Sequence, residues 1–387
     1  MVDDQHAGGS SGDATGTSIR AVEAHVLRVV ADPPWNISTS TMSEMFATVV
    51  SVELADGSKG WGECIGRQAP SATKVIVDEL LGPLVTGLDA RQVEDIWDQM
   101  WATMRYRGHS RGFLLEAMAG VDVAIWDALG HALDESIHGL LRGAARTEVP
   151  CYASSILLKS PVDAAKDAEG LVEAGYRAIK LKVGRNVTLD TQAVREVRQA
   201  IGDDVELMLD ANGFYAVHEA VALTKHIWPY DVAWLEEPLP TDDVEGYRRL
   251  VDRGSPVPLA SGEGEFTVHG FLPFLQERLL AVVQPDVARA GGITGSRRIA
   301  TVAQAYDTAF APHVGASGAL CIAASLQLSA SVPTHRTFEN MFLDQPLQHL
   351  TIEPLPQPDG ATIAIPQGPG LGVEVDEEKV RAYTQTT

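Results

Sequence analysis

Cysteine is scarce in this sequence of 387 residues. Only Cys64, Cys151 and Cys321 occur, and they are far apart, without the short spacings of a zinc site. Three distant cysteines exclude the disulfide framework that small secreted domains use. We therefore expect an intracellular protein without a structural zinc ion.

The sequence also lacks a segment suited to crossing a membrane or directing export. The most apolar helical stretch, 117–133, is interrupted by Asp122 and Asp127 and is shorter than the roughly 20 residues that a bilayer requires. Residues 1–17 are rich in Gly, Ser and Asp and lack the basic start and apolar centre of a signal peptide. We expect these residues to form a flexible tail and the protein to be cytoplasmic.

Positive charge is in short supply. Thirty Lys and Arg residues against 52 Asp and Glu give a formal net charge of −22 and a pI near 4.8. Such a charge repels nucleic acids and anionic membrane surfaces, so neither is expected as a partner. Solubility or adaptation to salt explains the acidic excess better than a binding role does.

Two of the eight lysines lie in one apolar run, Ala178-Ile179-Lys180-Leu181-Lys182-Val183. In a strand, their spacing directs both amines to the same face. The flanks, a helix end with Gly175 and a turn at 183–186, indicate a strand between two helices that is buried on both faces. Repulsion and desolvation lower the pKa of amines placed in this way, which would make one of them a base. A solvated edge strand is the alternative for an isolated pair.

The first part of the chain, 18–149, predicts an α+β domain. Its strand-like and helical segments are, in order, 19–30, 46–54, 59–64, 72–81, 91–104 and 113–133. Between the first two strands, residues 32–41 are too polar and too interrupted by proline for either element. This stretch is a candidate lid, with a passive surface loop as the alternative. Trp35, Asn36 and the hydroxyl residues that follow favour contact with a substrate.

From residue 150 the pattern changes to short apolar runs that alternate with amphipathic helical stretches. The runs are 149–155, 178–183, 205–210, 232–235, 257–260, 281–284, 308–311 and 337–339. Eight strands alternating with helices predict a parallel barrel over 150–341. A doubly wound sheet is the runner-up, but it requires an early glycine-rich phosphate turn, and 290–295 lacks that spacing. The segment 342–387 is expected to return to the N-terminal domain.

The active site of a parallel barrel lies at the carboxyl ends of its strands, so polar residues that close the runs are informative. They are Lys180, Lys182, Asp210, Asn212, Glu236, Glu237, Glu263, Asp286, His313 and Glu339. From Lys182 to Glu339, the chief members are 28, 26, 27, 23, 27 and 26 residues apart, which is one β/α unit each. Any single buried acid is more often a helix cap or a core ion pair. A series in register makes coincidence improbable.

Three of these carboxylates, Asp210, Glu236 and Glu263, fall on adjacent strands. Such a cluster requires a cation, and a set of oxygen ligands alone favours Mg²⁺ over zinc. Lys182 and His313 are predicted to lie on opposite sides of this metal. Two proton-transfer groups would thus face one substrate.

Two further acids are expected to act on these groups. Asp286 is placed to accept the ring N–H of His313 and raise its pKa. Glu339, if it is protonated, is placed to donate to the far oxygen of a substrate carboxylate.

The combination resembles the mandelate racemase group of the enolase superfamily over roughly residues 18–376. The residues that carry the resemblance are Lys180-x-Lys182, Leu209-Asp210-Ala211-Asn212, Trp234-Leu235-Glu236-Glu237-Pro238, Ser261-Gly262-Glu263, Gln284-Pro285-Asp286, Pro312-His313 and Phe338-Glu339. The resemblance implies a modified (β/α)7β TIM-type barrel with an α+β capping domain that the C-terminal segment completes. The muconate-lactonizing group carries a lysine on the sixth strand, where this chain has Asp286, and is disfavoured.

The resemblance also implies roles. One Mg²⁺ per subunit would be held by Asp210, Glu236 and Glu263, and the bases would be Lys182 and the His313–Asp286 pair. Lys180 would touch the substrate carboxylate, with Glu339 opposite it. Asn212, Trp35 and Asn36 are candidate substrate-binding residues.

The implied first step is abstraction of the proton α to a carboxylate. Loss of a β-hydroxyl would give an acid-sugar dehydratase, whereas reprotonation on the other face would give a racemase or epimerase. The polar lid favours the dehydratase, and so does the run 262–266, which is similar to the Gly-Glu-His-Glu-Tyr run of rhamnonate dehydratases but has Gly264 in place of His. A non-catalytic binding protein would be expected to lose some of these residues. We expect a small carboxylate substrate, a sugar acid, and a homo-oligomer.

Overall fold

The N-terminal part of the chain is built on an antiparallel sheet of three strands, in a computed structural model that describes residues 16–142 and 146–385. The strands are β1 (Ile19–Asn36), β2 (Thr41–Leu54) and β3 (Lys59–Cys64), in the order β1-β2-β3. A tight turn at Asp56-Gly57 connects β2 to β3. Gly57 adopts a φ of +92° there, a conformation that side-chain-bearing residues rarely take.

The candidate lid is a β-hairpin, so the prediction of irregular structure over 32–41 is wrong. Trp35 pairs with Met42 and Asn36 with Thr41, beyond an irregularity in the ladder that separates them from Val30. The two prolines fall within this irregularity, where a missing N–H breaks no regular pairing. The loop itself therefore shrinks to residues 37–40.

Helices follow this sheet in the chain, and the longest of them packs on it. They are α1 (Pro70–Ile76), α2 (Gly82–Val85), α3 (Val93–Arg105), α4 (Phe113–Leu133) and α5 (Ile137–Arg142). The long helix α4 has the predicted bounds and is buried from Leu114 to Gly130. It packs directly on β3 because Gly62 has no side chain: a Cβ there would lie 2.1 Å from the carbonyl oxygen of Gly120.

The second part of the described chain is a parallel barrel. Its strands are β4 (Glu148–Ile156), β5 (Ala178–Lys182), β6 (Glu206–Asp210), β7 (Val232–Glu236), β8 (Leu259–Ser261), β9 (Val282–Val283), β10 (Ala309–Phe310) and β11 (Phe338–Met341). They are hydrogen-bonded in the order β10-β9-β8-β7-β6-β5-β4-β11. Phe310 closes the ring, since its N–H donates to Thr334 O and its carbonyl accepts from Arg336 N.

Helices follow the first seven barrel strands. They are α6 (Pro161–Glu173), α7 (Val187–Ile201), α8 (Val217–Ile227), α9 (Val244–Asp252), α10 (Thr267–Gln276), α11 (Gly292–Ala305) and α12 (Ala319–Ser331). Within residues 146–385, no α-helix packs after β11 as an eighth unit, because the chain turns away at Pro346. The predicted (β/α)7β barrel is confirmed.

The C-terminal segment contacts both parts of the chain. Strand β12 (Thr362–Ala364) pairs with β4 in the antiparallel direction, and helix α13 (Glu377–Tyr383) leads to Gln385, whose N–H donates to Val26 O at 3.0 Å. The domain boundaries after residues 17, 149 and 341 stay a prediction, and most of the tail at 1–17 lies outside the described residues. No helix in the described ranges is long and apolar enough to span a membrane.

Candidate active site

Toward the carboxyl ends of the barrel strands, the inward-facing side chains change from apolar to charged. The lower part of the barrel interior is a buried cluster of Tyr152, Ala178, Met208, Trp234, Ala260, Val282 and Ala311. The next inward positions of three strands, two residues further along, are Lys180, Asp210 and Glu236, because side chains alternate across a strand. Parallel register then sets Lys182 beside Asp210 and Asp210 beside Glu236.

The three predicted cation ligands converge. One oxygen from each of Asp210, Glu236 and Glu263 lies within 4.8 Å of the others. Asp210 and Glu236 are fully buried, and the Glu263 side chain is 14% exposed. Three buried carboxylates this close together repel one another unless a cation neutralises their charge. A donor set made only of oxygen atoms is what Mg²⁺ prefers. The residues present therefore fit a Mg²⁺ ion.

Both lysines point into the barrel, but the prediction that their pKa values are lowered is wrong. Lys180 Nζ lies 2.8 Å from Glu236 Oε1 and 2.8 Å from Glu339 Oε1, and Lys182 contacts Asp210. Burial lowers both pKa values, yet the charges of Glu236 and Glu339 on Lys180, and of Asp210 on Lys182, outweigh it and leave both raised. The carboxylates of the neighbouring strands outweigh the repulsion between the two amines, and a local sequence pattern does not show them.

His313 and Asp286 form the predicted pair. His313 Nδ1 lies 2.7 Å from Asp286 Oδ2, and the other oxygen of Asp286 accepts from Ala288 N at 2.8 Å. On its far side, His313 Nε2 is 3.1 Å from Glu263 Oε2. Burial lowers the pKa of His313, but Glu263, Glu339 and Asp286 together hold it well above its ordinary value. The imidazole Nε2 is therefore directed at the carboxylate cluster.

Glu339 is ionised, which argues against the role expected for a protonated Glu339. It accepts hydrogen bonds from Ser154 Oγ at 2.7 Å and from Val314 N at 2.8 Å, in addition to its contact with Lys180. Burial raises its pKa, but the positive charges of Lys180 and His313 lower it below the ordinary value. In this arrangement Glu339 is an acceptor that fixes its neighbours.

Above these groups lies a cleft that consists of two adjoining cavities. The inner cavity is lined by Lys182 and His313 and by apolar side chains that include Trp35, which is 4% exposed. The outer cavity, of about 340 Å³, is lined by the hairpin from Ile37 to Phe46 and by the loop at 67–68. Asn212 lines both. The cleft thus leads from the proton-transfer groups outward under the hairpin.

The hairpin residues divide by position. Thr39, Ser40 and Thr41 line the outer cavity, and Ser38 Oγ donates to Ala211 O at 3.0 Å, which ties the hairpin to the barrel. Asn36 is exposed, accepts from Thr41 Oγ1 at 2.7 Å and lines neither cavity. The hydroxyl-rich wall expected from the sequence is therefore present in the outer cavity only.

Sequence reasoning missed three residues of the site. Ser155 closes β4 and lines the inner cavity, so the rule that polar residues close barrel strands would have found it. Gln284 Nε2 donates to Glu236 Oε2 at 2.7 Å and holds that ligand in place. Arg67 lines both cavities but belongs to the loop after β3, and nothing local in the sequence links it to the barrel.

A capped barrel with this set of charged residues at its strand ends is the architecture of the enolase superfamily. A family model described as "Mandelate racemase / muconate lactonizing enzyme, N-terminal domain" matches residues 20–142, and one described as "Enolase C-terminal domain-like" matches 163–379. The chain belongs to the mandelate racemase and muconate lactonizing enzyme family of that superfamily. The resemblance stated from the motifs is confirmed.

Individual relatives are similar over nearly the whole chain. D-galactarolactone cycloisomerase of Agrobacterium fabrum is 33% identical, covering 94% of this chain and 98% of the relative. D-galactonate dehydratase of Variovorax paradoxus is 33% identical over 86% of this chain and 89% of the relative. The crystal structure of a racemase from Streptomyces coelicolor A3(2) with bound magnesium is 30% identical, with a TM-score of 0.86 and coverage of 95% of this chain and 100% of that one.

Proposed function

We propose that this chain is a Mg²⁺-dependent acid-sugar dehydratase. It removes the proton α to a carboxylate and eliminates the β-hydroxyl, which gives a 2-keto-3-deoxy acid. The observation that carries this proposal is the position of the carboxylate cluster between Lys182 and the His313–Asp286 pair at the inner end of one cleft. Relatives named as a galactonate dehydratase and a galactarolactone cycloisomerase support a sugar-acid substrate.

Asp210, Glu236 and Glu263 would hold the Mg²⁺. When bound, this ion supplies positive charge beside the substrate carboxylate and stabilises the negative charge that develops there as the α-proton leaves. Lys180, held by Glu236 and Glu339, donates to the same carboxylate, and Gln284 keeps Glu236 in place. Trp35 and Asn212 contact the rest of the substrate from the cleft walls.

Lys182 and His313 divide the proton transfers. His313 has a raised pKa and therefore approaches the substrate protonated, ready to donate to the leaving hydroxyl. Lys182 takes the α-proton once its contact with Asp210 is loosened. That contact raises the pKa of Lys182 by more than burial lowers it. For a substrate of the opposite configuration at the α-carbon, His313 would be the base.

A second candidate is a cycloisomerase that acts on a sugar acid whose β-oxygen belongs to a ring. It is favoured by the cycloisomerase named above, which is similar over 94% of this chain. The α C–H bond breaks, its electron pair forms the C=C bond, and the β C–O bond breaks. The electrons move in the same way as in the dehydration. Because the leaving oxygen stays attached, the product is an isomer and no water is released.

A library of sugar acids and their lactones, incubated with the enzyme and Mg²⁺, tests the proposal. We expect 2-keto acid formation that EDTA abolishes and that K182A and H313N do not support. Mass spectrometry separates the two candidates, since dehydration gives a product lighter by one water and ring opening gives an isomer. Epimerisation at the α-carbon without any keto acid would overturn the elimination and establish the racemase alternative.

A further inference from the structure

Arg67 lies at the junction of the two cavities, where its charge acts on Glu263 and Glu116 from beyond ion-pair distance. Its Nη2 donates to Gly315 O at 3.1 Å, and its Nε is buried and has no hydrogen-bond partner. Within the described residues, none of its nitrogens lies within 4.0 Å of a carboxylate oxygen, whereas the nearby Arg111 and Arg289 each pair with a glutamate. A partly buried guanidinium with unused donors at a cavity wall is placed to bind an anion from that cavity.

Of the described charged groups that line the outer cavity, Arg67 is the one that can attract an anion. Among the described residues that line it, Arg67 is the one cation. Glu44 is paired with Arg28, Glu263 belongs to the carboxylate cluster, and Glu237 is 5% exposed. An anion in the outer cavity would therefore find its attractive partner in Arg67.

The position also fixes which end of a substrate Arg67 can reach. In the proposed function, the reacting carboxylate would bind at the cluster, and Lys182 and His313, which line the inner cavity, would act on the adjoining carbons. Arg67 lines the same inner cavity and the outer cavity beyond it, so it faces the far end of the carbon chain. An aldonic acid ends there in a neutral hydroxymethyl group, which leaves the guanidinium unpaired. A sugar diacid ends in a second carboxylate, whose two oxygens match the guanidinium fork.

We propose that Arg67 binds the second carboxyl group of a sugar diacid, either free or closed as a lactone, and so sets the substrate class of this site. The inference rests on the proposed function. In the free diacid, the β C–O bond breaks and the hydroxyl leaves as water with a proton from His313. In a lactone whose ring oxygen is on the β-carbon, the same bond cleavage releases the far carboxyl group as a carboxylate, and Arg67 receives that charge.

The test compares four substrate series of matched configuration: sugar diacids, their lactones, aldonic acids, and aldonic acids phosphorylated at the far end. We expect kcat/KM of the parent to be about 10–100-fold higher for a diacid or lactone than for the matching aldonic acid, as is typical for one charge-assisted contact. For a free diacid, R67Q is expected to lose most of this preference chiefly through KM, because the second carboxylate is charged when the substrate binds. For a lactone the loss is expected chiefly in kcat, because the charge forms only as the C–O bond breaks. R67K is expected to keep part of the preference in both series. R111Q, which removes an arginine outside the cleft, serves as the matched control and should keep the parent's preference.

The outcomes separate this inference from the proposed function. Keto acid formation with aldonic acids preferred, or with a diacid preference that R67Q retains, overturns the role of Arg67 and leaves the elimination intact. A preference for phosphorylated acids that depends on Arg67 identifies the anion as phosphate and overturns the diacid. If no substrate in any series shows product or exchange of its α-proton, the proposed function fails and the inference fails with it. Mg²⁺-dependent thermal stabilisation of R67Q, equal to that of the parent, shows that the variant is folded.

Discussion

Replacing Glu236 by Gln tests the carboxylate cluster directly, because it keeps the side-chain volume and removes one of three charges. Glu236 is fully buried and accepts from Lys180 Nζ at 2.8 and 3.0 Å and from Gln284 Nε2 at 2.7 Å. Breaking a buried ion pair costs about 3–5 kcal/mol when the partner is left alone. Lys180 keeps Glu339 at 2.8 Å, so we expect a smaller loss in the absence of metal, about 1–3 kcal/mol.

The response to Mg²⁺ is the larger difference. A ligand that binds only the folded state stabilises it by about 2.7 kcal/mol at a hundredfold excess over its Kd. The unfolding entropy expected for 387 residues gives about 1 °C per kcal/mol, so the parent is expected to gain about 3 °C in Tm. E236Q is expected to lose this gain together with its catalytic activity, because two carboxylates hold the ion poorly.

Thermal denaturation of metal-stripped protein, titrated with MgCl₂, measures both effects. E265Q is the matched control, since Glu265 is a nearly buried carboxylate two residues from Glu263 that pairs with Arg111 and lies outside the cluster. This variant should keep the gain of the parent. If E236Q gains as many degrees as the parent, the ion binds elsewhere and the assignment of the cluster is refuted.

Four other variants probe separate parts of the molecule. In D₂O, H313N is expected to exchange the α-proton without forming product when Lys182 is the base, and normal turnover by K182A would remove the lysine from the mechanism. Burial raises the pKa of Asp122 from 3.8 to about 7, so the folded state holds a proton that the unfolded chain has released, and stability falls as the pH rises from about 4 to 7. Between pH 5 and pH 8, D122N is therefore expected to gain about 2–3 kcal/mol in stability relative to the parent, and an equal difference at both pH values in thermal denaturation would contradict this. S38A loses the hydrogen bond to Ala211 O, worth about 1 kcal/mol, and should raise KM about fivefold in steady-state assays while the Mg²⁺ response of Tm stays unchanged.

Local patterns in the sequence were enough to predict the barrel and the convergence of its charged residues. Apolar runs repeated at one β/α unit can form few structures other than a parallel barrel, and a residue that closes such a run lies at the same rim as the others. Asp210, Glu236 and Glu263 could therefore be placed together before any coordinates were known. Helix α4 was predicted with its observed bounds because apolar residues recur at three- and four-residue spacing over 113–133.

The charge states and the outer wall of the cleft were decided by the tertiary structure alone. The raised pKa of Lys182 depends on Asp210, which is 28 residues away in sequence and adjacent in space. A sequence window of the length of one strand or helix does not contain both residues. Arg67 reaches the cleft by packing of the loop after β3 against Gly315, which is 248 residues further on. The hairpin continues past two prolines because β2 pairs with β1 both before and after them. Electrostatic energy and packing depend on distances through space, whereas a sequence pattern reports only neighbours along the chain.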